Sequence, residues 1–411
     1  MAGEALTSAA ATRSGGWKHL PAALRIGILY LSARVVTTIF LVTAAEQSGF
    51  DSRFGPDATL TDLILGWDAR WYWIVAETGY PADLPLTDGG SVAENQWAFM
   101  PLFAYLAKAV ALPFGGTWAV GAFIVAIVAG YGASYVLYRM LRERLDETAA
   151  TWATVFFAAG PLAALFQVGY AEGLFLFWLF LALWGVQRRR YGWLYLLVPL
   201  MGYTRPGVLA FALFLGLYGI WRWVRRRQEP LPVREIVHII ALGALAVAVG
   251  FSWQLIVGWV TGDPGAYLAT ELSWRRNWIP GEAVFVPFEG VISAAGFWFG
   301  SVWGSTATVG YVVLALGVAA IAAVLIFEPH VKRLGVEVRL WSASYLVYLL
   351  LVFFPQSSIF RLLLPLSPLW GAVAAPRSTL WRVTMLVACV AGQWWWIHEM
   401  YALGNEFWRV P

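Results

Sequence analysis

The sequence predicts an all-α polytopic membrane protein, and three observations support this fold class. The chain has 411 residues, of which 60% are hydrophobic and only 13% are charged. Its mean hydropathy is +0.66, and long apolar runs recur along its whole length. In a bilayer the main-chain polar groups must be satisfied inside the protein, which helices achieve. We therefore expect one bundle of membrane-spanning helices without a separate soluble domain.

The charge pattern indicates membrane topology and argues against a nucleic-acid partner. The net charge is +4, but the Lys and Arg residues form short clusters between apolar runs, as cytoplasmic loops do. Cys389 is the only cysteine, so we expect no disulfide and no metal-thiolate site. The four histidines are scattered, and no metal site or nucleotide-binding motif is evident, so we expect no cofactor.

The first 25 residues are expected to be a disordered cytoplasmic start, and residues 26–411 a single membrane domain. The first apolar run exceeds the roughly 7–15 residues of a signal-peptide core, so we interpret it as a retained anchor, with cleavage near Ala44 as the alternative. Counting this first run, the length and hydropathy of the apolar runs predict about eleven membrane spans. They are residues 26–45, 118–138, 149–167, 171–187, 191–203, 206–223, 236–260, 306–327, 340–354, 362–375 and 380–398.

Residues 97–112 are apolar but are expected to be interfacial or re-entrant. The segment is short, and Pro101 and Lys108 suit a helix that does not cross the bilayer. Leaving it out also puts every short basic cluster on one side, which the positive-inside rule makes cytoplasmic. The clusters are Arg13, Lys18 and Arg25; Arg139, Arg142 and Arg144; Arg188, Arg189 and Arg190; Arg222, Arg225, Arg226, Arg227 and Arg234; Lys332, Arg333 and Arg339; Arg377 and Arg382.

This topology places two large loops outside, residues 46–116 and residues 261–305. The first is acidic and contains a predicted interfacial helix from Trp67 to Thr78, which Gly79 and Pro81 end. Asp68 is expected to cap this helix as its N-cap residue. The helical spacing predicts one apolar, membrane-facing surface. Its members are Trp67, Trp71, Ile74, Val75 and Thr78.

Several predicted spans are shorter than the roughly 20 residues that a bilayer core requires. Their outer tips are polar, so they must stop inside the membrane or line a cavity within the protein. Glu172, Arg205, Gln356 and Arg361 lie at these tips, on the same predicted side as Asp68. The sequence therefore predicts a polar cavity that opens outward, with the Asp68 helix at its rim.

Charged side chains at this depth are costly and are candidates for function. Arg205 and Arg361 suit the phosphate of a lipid, because a guanidinium group binds phosphate oxygens bidentately and stays charged. Asp68 suits a general base that takes a proton from a hydroxyl group. The combination indicates group transfer from a lipid phosphate to an alcohol. We take Trp67, Arg70, Tyr72, Glu172 and Gln356 as candidate substrate-binding residues.

Each of these residues also has a purely structural interpretation. Asp68 could only cap its helix, and Glu172 could only balance the dipole of a helix start. Arg205 and Arg361 could anchor the chain at the membrane interface. Arg34 lies within a predicted span and should pair with an acid or a main-chain carbonyl.

Short ordered motifs resemble the PIG-V-like mannosyltransferases of the GT-C superfamily. Residues 67–80, WDARWYWIVAETGY, are similar to the family's signature of Trp-Asp, an aromatic residue, Ile-Ala and Gly-Tyr. Residues 98–103 and 169–176 resemble its later motifs, with departures at Met100, Ala171 and Gly173. Residues 204–207 and 356–361 resemble its polar tips, so the resemblance extends from about residue 67 to residue 370.

The resemblance implies a GT-C-type helical bundle whose first outer loop holds the catalytic acid, at Asp68. It implies a polyprenyl-phosphate sugar donor, with mannose as the sugar, a lipid or glycolipid acceptor, and inversion at the anomeric carbon. The positive-inside topology puts the active site of this multi-pass protein on the outer face, and the preference for Arg over Lys, the Ala content and the short loops favour a bacterial inner membrane. Under this interpretation Arg205 or Arg361 would stabilise the departing lipid phosphate.

Two other functional classes remain open at this stage. A transporter or flippase of lipids or lipid-linked sugars could also use short spans around a central site, although no two related halves are visible. A structural scaffold is less compatible with charged residues at buried tips.

Overall fold

The computed structural model describes residues 19–279, 284–404 and 409–411, and the described chain is almost entirely helical. A single antiparallel bridge joins Leu86 to Val92 in the first large loop. The α-helices are α1 Ala22–Glu46, α2 Leu60–Ile64, α3 Asp68–Thr78, α4 Pro101–Ala111, α5 Trp118–Arg142, α6 Glu147–Ala158, α7 Glu172–Gln187, α8 Leu194–Gly202, α9 Val208–Arg225, α10 Val233–Thr261, α11 Ala266–Ser273, α12 Glu289–Gly296, α13 Ala307–Phe327, α14 Pro329–Arg333, α15 Val336–Val352, α16 Ile359–Leu362, α17 Trp370–Ala374 and α18 Thr379–Ile397.

Shorter turns of tighter or wider helix lie between these elements. Several of them extend an α-helix by one turn, as is common at helix ends. The 3-10 helices are Gln96–Ala98, Leu112–Phe114, Ala163–Phe166, Tyr191–Trp193, Trp274–Asn277 and Leu364–Leu369, and the π-helices are Phe297–Val302 and His398–Ala402.

Among the described residues, five helices are long and apolar enough to cross a membrane: α1, α5, α9, α10 and α13. The protein is therefore an integral membrane protein. Every other predicted span coincides with one or more helical segments that fail this test of length and apolarity, and the count of about eleven spans stays a prediction. Residues 97–112 form a 3-10 turn followed by α4, which packs against α5. Their depth in the bilayer also stays a prediction.

Prolines explain why several spans are broken into pieces. The predicted span 149–167 begins as α6, breaks before Pro161 and resumes as the Ala163–Phe166 turn. The predicted span 362–375 is a 3-10 helix with Pro365 and Pro368, followed by α17. Proline removes a main-chain donor and crowds the preceding turn, so an unbroken α-helix cannot form at these positions.

The beginning of the chain differs from the sequence-based expectation. Residues 1–18 lie outside the described residues, but α1 begins at Ala22, so disorder up to residue 25 is wrong. Pro21 precedes the helix with extended backbone angles, and an apolar stretch follows it at once. The helix also carries Arg34, which donates hydrogen bonds to the main-chain carbonyls of Ala158 and Ala163. Of the two partners expected for Arg34, the structure has the carbonyls.

The predicted loops separate to opposite ends of the bundle. At one end the predicted cytoplasmic clusters contact acidic residues of neighbouring loops. The predicted outer loops and polar tips contact one another at the other end. Which end faces the cytoplasm stays a prediction. The pairs at the first end are Arg25–Glu147, Arg144–Glu337, Arg188–Glu143 and Arg189–Glu229.

The two large loops are fastened to each other. Asn95 donates a hydrogen bond of 2.9 Å to the hydroxyl of Thr270 on α11. Asn277 donates one of 2.6 Å to Glu94, and Arg276 donates to the carbonyl of Val92. The second loop therefore lies directly over the first, although its residues 280–283 are outside the described residues.

Helix α3 forms where the sequence predicts it, but its first residue has a different role. Trp67 occupies the N-cap position with φ 55°, and the cap has no side-chain hydrogen bond, so the expectation that Asp68 is the N-cap is wrong. The buried face is also different, because α3 packs on α4 through Tyr72, which lies edge-on to Phe103. Its buried residues are Ala69, Tyr72, Val75 and Ala76.

Candidate functional site

Four charged side chains form a continuous chain at the outer-loop end of the bundle. Arg361 donates a hydrogen bond to Oδ2 of Asp68, and Arg205 donates one to Oε1 of Glu172. Arg361 Nε lies 3.5 Å from the same Glu172 oxygen. Acidic and basic side chains thus alternate in this charged chain, in the order Asp68, Arg361, Glu172 and Arg205. The structure brings together residues that are more than 290 positions apart in the sequence.

Each member is placed by a local break in the helices. Asp68 and Glu172 are the first residues of α3 and α7. Arg205 lies in the turn between α8 and α9, which ends at Gly207 with φ 134°. Only glycine adopts this backbone conformation readily. Arg361 lies on the short helix α16, after the break that follows α15. The polar tips therefore fold inward onto one another.

Burial makes this chain of charges different from an ordinary surface ion pair. The side chain of Glu172 is 4% exposed, those of Arg361 and Arg205 are 11% and 15% exposed, and that of Asp68 is 24% exposed. Buried charges need partners, and removing one member leaves another uncompensated. Asp68 is the most accessible of the four, so a substrate can reach it more readily than Glu172.

Two tyrosines support the charged groups. The main-chain N–H of Asp68 donates to the Tyr170 hydroxyl at 3.3 Å, and the Arg361 guanidinium lies 5.4 Å from the centre of the Tyr170 ring. Burial raises the pKa of Tyr72 to about 12, an effect that the nearby charge of Arg205 opposes. Tyr72 therefore remains a neutral hydroxyl group beside the site at physiological pH.

Some buried polar atoms of the site have no hydrogen-bond partner in the described part of the chain. Among the described residues, Glu172 Oε2, Arg361 Nε and the Ser358 hydroxyl are buried without a hydrogen-bond partner. Buried polar groups are normally satisfied, so such atoms call for an explanation. Unused donors next to a buried arginine are what an anionic ligand would require.

The other predicted substrate-binding residues lie in different surroundings. Trp67 is 8% exposed, donates to the carbonyl of Met400 at 3.0 Å and packs under Arg53. Its ring is thus engaged in loop packing. Arg70 lies on the exposed side of α3. Gln356 accepts a hydrogen bond from the main chain of Ile359 through its own carbonyl, and it is half-buried near Ser358.

An apolar cavity of about 510 Å³ lies beside the charged chain. It extends between the end of α6, the segment from Phe360 to Val373 and the outer half of α18. Phe360 lines this cavity and directly precedes Arg361 in the chain. The cavity thus reaches the residue that precedes Arg361, which brings an apolar space near a charged group, as an amphipathic lipid would need.

Sequence reasoning missed some residues of the site. Tyr170 contacts both Asp68 and Arg361, and its position two residues before Glu172 is the only local signal for it. Ser358 was part of a polar tip, but its burial could not be read from the sequence. Arg275 pairs with Glu289 at 2.6 Å and so belongs to the packing of the second loop. No three His, Cys, Asp or Glu side chains cluster as a metal site within residues 19–279, 284–404 and 409–411.

Comparison with solved structures identifies the fold. The chain is similar to the crystal structure of ArnT from Cupriavidus metallidurans bound to undecaprenyl phosphate, with 14% identity and a TM-score of 0.50. The match covers 87% of this chain and 62% of the ArnT chain. The archaeal oligosaccharyltransferase AglB from Archaeoglobus fulgidus, in complex with an inhibitory peptide and a dolichol-phosphate, gives 13% identity and a TM-score of 0.43. That match covers 92% of this chain and 56% of AglB.

This chain thus spans about three fifths of the length of the solved ArnT chain. No family model matches the sequence, and no curated protein matches it. At such low identity the likeness to ArnT describes the fold alone. This protein is an integral membrane protein whose helical fold is similar to that of ArnT.

Proposed function

We propose that this protein is a glycosyltransferase that uses a polyprenyl-phosphate sugar as donor and the hydroxyl group of a lipid or glycolipid as acceptor. The observation that carries the proposal is the contact between Asp68 and Arg361. It unites a carboxylate that can accept a proton with a guanidinium that can hold a phosphate. The GT-C type of fold and the undecaprenyl phosphate bound to ArnT support the same choice of donor.

In the proposed reaction, the acceptor oxygen attacks the anomeric carbon of the donor sugar. Its proton passes to Asp68, a bond forms between the acceptor oxygen and the anomeric carbon, and the bond from that carbon to the phosphate oxygen breaks. The electron pair of this bond leaves with the lipid phosphate, which Arg361 and Arg205 stabilise. A single displacement of this kind inverts the configuration at the anomeric carbon.

The ion pair implies an order of binding. In the structure Asp68 and Glu172 already occupy hydrogen-bond donors of the two arginines. A phosphate that approaches Arg361 competes with Asp68 for the same guanidinium group. Donor binding therefore loosens the contact between Asp68 and Arg361, and it releases the carboxylate to accept a proton. Until the donor is present, the base remains paired.

The apolar cavity fits the hydrocarbon part of the donor. Its lining includes Phe157, Leu364 and Trp395, and it starts at Phe360 beside the phosphate-binding arginine. An isoprenoid chain placed there would bury apolar surface at roughly 25 cal/mol per Å². The arrangement lets the phosphate reach Arg361 while the chain stays in an apolar environment.

The proposed sugar and the proposed side of the membrane rest on the sequence alone. The resemblance to PIG-V-like enzymes favours mannose, and the positive-inside pattern favours an active site on the outer face of a bacterial inner membrane. Trp67, Arg70, Tyr72, Glu172 and Gln356 remain candidates for substrate binding. Glu172 pairs with both arginines and so positions them for the phosphate.

Purified protein in proteoliposomes tests the proposal directly. The assay supplies radiolabelled polyprenyl-phosphate mannose and a membrane lipid extract, and it measures labelled product and released polyprenyl phosphate. The proposal predicts both in equal amounts. Intact donor that crosses the bilayer, without transfer to any acceptor, would overturn it in favour of a transporter. Release of free mannose alone would indicate hydrolysis and would also contradict it.

A further inference from the structure

A second acidic residue faces the site from the second outer loop. Tyr267, Glu271 and Trp274 are spaced at i, i+4 and i+7, so they lie on one face of α11 and its 3-10 extension. The Trp274 ring lies 5.9 Å from the ring of Trp71 on α3 and 5.9 Å from that of Phe99. This face of α11 is therefore directed at α3, where Asp68 and Tyr72 lie.

The position of Glu271 is fixed from both sides. Thr270, its neighbour, accepts the hydrogen bond from Asn95 of the first loop, and Trp274 is packed as described above. Glu271 lies one helical turn after Tyr267 on the same face of α11. Its charge contributes to the raised pKa of Tyr72 on α3. Glu271 and Tyr267 thus share the face that carries Trp274 onto α3.

The environment of Glu271 is neither bulk water nor packed core. The residue is exposed by surface area, yet desolvation by the surrounding protein raises its pKa to about 7. Together these facts describe an exposed carboxylate that neighbouring protein groups partly desolvate. The charged chain described above contains neither Glu271 nor Tyr267, so the proposed reaction leaves this group without a role.

We infer that Glu271, with Tyr267 and Tyr72, forms a subsite that binds the hydroxyl groups of a sugar. The inference rests on the proposed sugar transfer and adds a specificity-determining residue to it. A carboxylate accepts hydrogen bonds from two neighbouring hydroxyls at once, and tyrosine supplies a ring surface with one hydroxyl. The sugar belongs either to the donor or to a glycolipid acceptor, since the two share this chemistry.

Binding of octyl mannoside to the full-length protein in detergent tests the subsite without any transfer. Titration calorimetry compares wild type with Glu271→Gln and with Tyr267→Phe, which keeps the ring and removes the hydroxyl. We expect Glu271→Gln to weaken binding about tenfold or more, because hydrogen bonds to a charged group are lost. Tyr267→Phe should weaken it less. Asp83→Asn, the same type of change at an exposed loop carboxylate, should bind as wild type does.

Kinetic measurements then identify the source of the sugar. A higher KM for the donor in Glu271→Gln assigns the subsite to the donor sugar, and a higher KM for the acceptor assigns it to the acceptor. Wild-type binding by both Glu271→Gln and Tyr267→Phe would overturn the subsite, as would no binding by wild-type protein. If wild type binds through Glu271 but transfers no sugar, the proposed function fails while the subsite stands.

Discussion

The two ends of the bundle both contain buried ion pairs, but they are built differently. At the basic end, Arg222 is fully buried and bonds to Glu235, Glu229 and the Pro230 carbonyl. Tyr191 donates a further hydrogen bond to Glu235 at 2.8 Å. At the opposite end lies the charged chain of Asp68, Arg361, Glu172 and Arg205. In it, Glu172 Oε2 and Arg361 Nε are buried without a hydrogen-bond partner among the residues that the structure describes.

This difference separates a structural cluster from a functional one. The Arg222 cluster connects neighbouring helices within residues 189–235 and satisfies Arg222 through Nε and both terminal nitrogens. The Asp68 chain joins distant parts of the sequence and retains unused hydrogen-bonding capacity next to an apolar cavity. Burial of charge alone therefore does not indicate function. Unpartnered polar atoms alone do not either, because Arg25 Nε and Glu337 Oε2 at the basic end also lack a hydrogen-bond partner within the described residues. A buried cluster of charges close to an apolar cavity is the more informative observation.

The largest expected effect is on catalysis at Asp68. Asp68→Asn removes the proton acceptor but keeps the size of the side chain, so kcat for sugar transfer should fall about 10²–10⁴-fold. The thermal midpoint should change little, because the side chain is partly exposed and Arg361 keeps its contact with Glu172. Radiolabel transfer and thermal unfolding of the same preparation measure both. Transfer at the wild-type rate would remove Asp68 as the base.

A smaller loss is expected at the arginine. Arg361→Lys keeps the positive charge but loses the planar, bidentate geometry, so kcat should fall about 10²-fold. Arg222→Lys is the matched control at the basic end, where no substrate is expected. There the same exchange should reduce the thermal midpoint and leave the kcat of the folded protein near that of wild type. An equal loss of kcat in both variants would contradict the separation of the two ends.

Stability should respond most strongly at the basic end. Glu235→Ala removes the carboxylate that accepts hydrogen bonds from two nitrogens of the fully buried Arg222, which should cost about 3–5 kcal/mol of unfolding free energy. The midpoint of a denaturant titration in detergent measures this change. Glu143→Ala is the control, because its pair with Arg188 is more than one third exposed and should matter little. A loss at Glu143 as large as that at Glu235 would contradict this prediction.

The smallest expected effect concerns the apolar cavity. Leu363→Trp narrows the space beside Phe360, so KM for a long polyprenyl donor should rise about tenfold. A donor with a short isoprenoid chain should be affected less, because less of it enters the cavity. Steady-state kinetics with the two donors provides the comparison. An equal change for both donors would mean that the chain does not bind there.

Much of this architecture could be predicted from the sequence. Apolar runs and basic clusters predicted the helices and their two ends, because the bilayer imposes strong rules on composition. The sequence also indicated Asp68, Glu172, Arg205 and Arg361 as charges at polar tips. It could not show that they touch, since contacts between residues 68 and 361 depend on the three-dimensional packing of the entire bundle. The N-cap prediction for Asp68 failed because that side chain contacts Arg361 and does not cap its own helix.

Glu271 is a residue that the sequence did not single out at all. Nothing in its local sequence separates it from an ordinary loop acid, and no known motif covers that loop. Its interest comes from Trp274 packing on Trp71, which directs one face of α11 at the site. Such a long-range contact has no signature in a single sequence. Functional residues on loops are therefore the part of this protein that most needed a structure.

In the proposed mechanism the donor phosphate and Asp68 compete for Arg361. Binding of undecaprenyl phosphate to purified protein tests this competition, because the ligand carries the phosphate but no sugar to transfer. We expect Asp68→Asn to bind this lipid several-fold more tightly than wild type, while the same variant has lost sugar transfer. Unchanged or weaker binding by Asp68→Asn would show that the phosphate and the carboxylate do not compete.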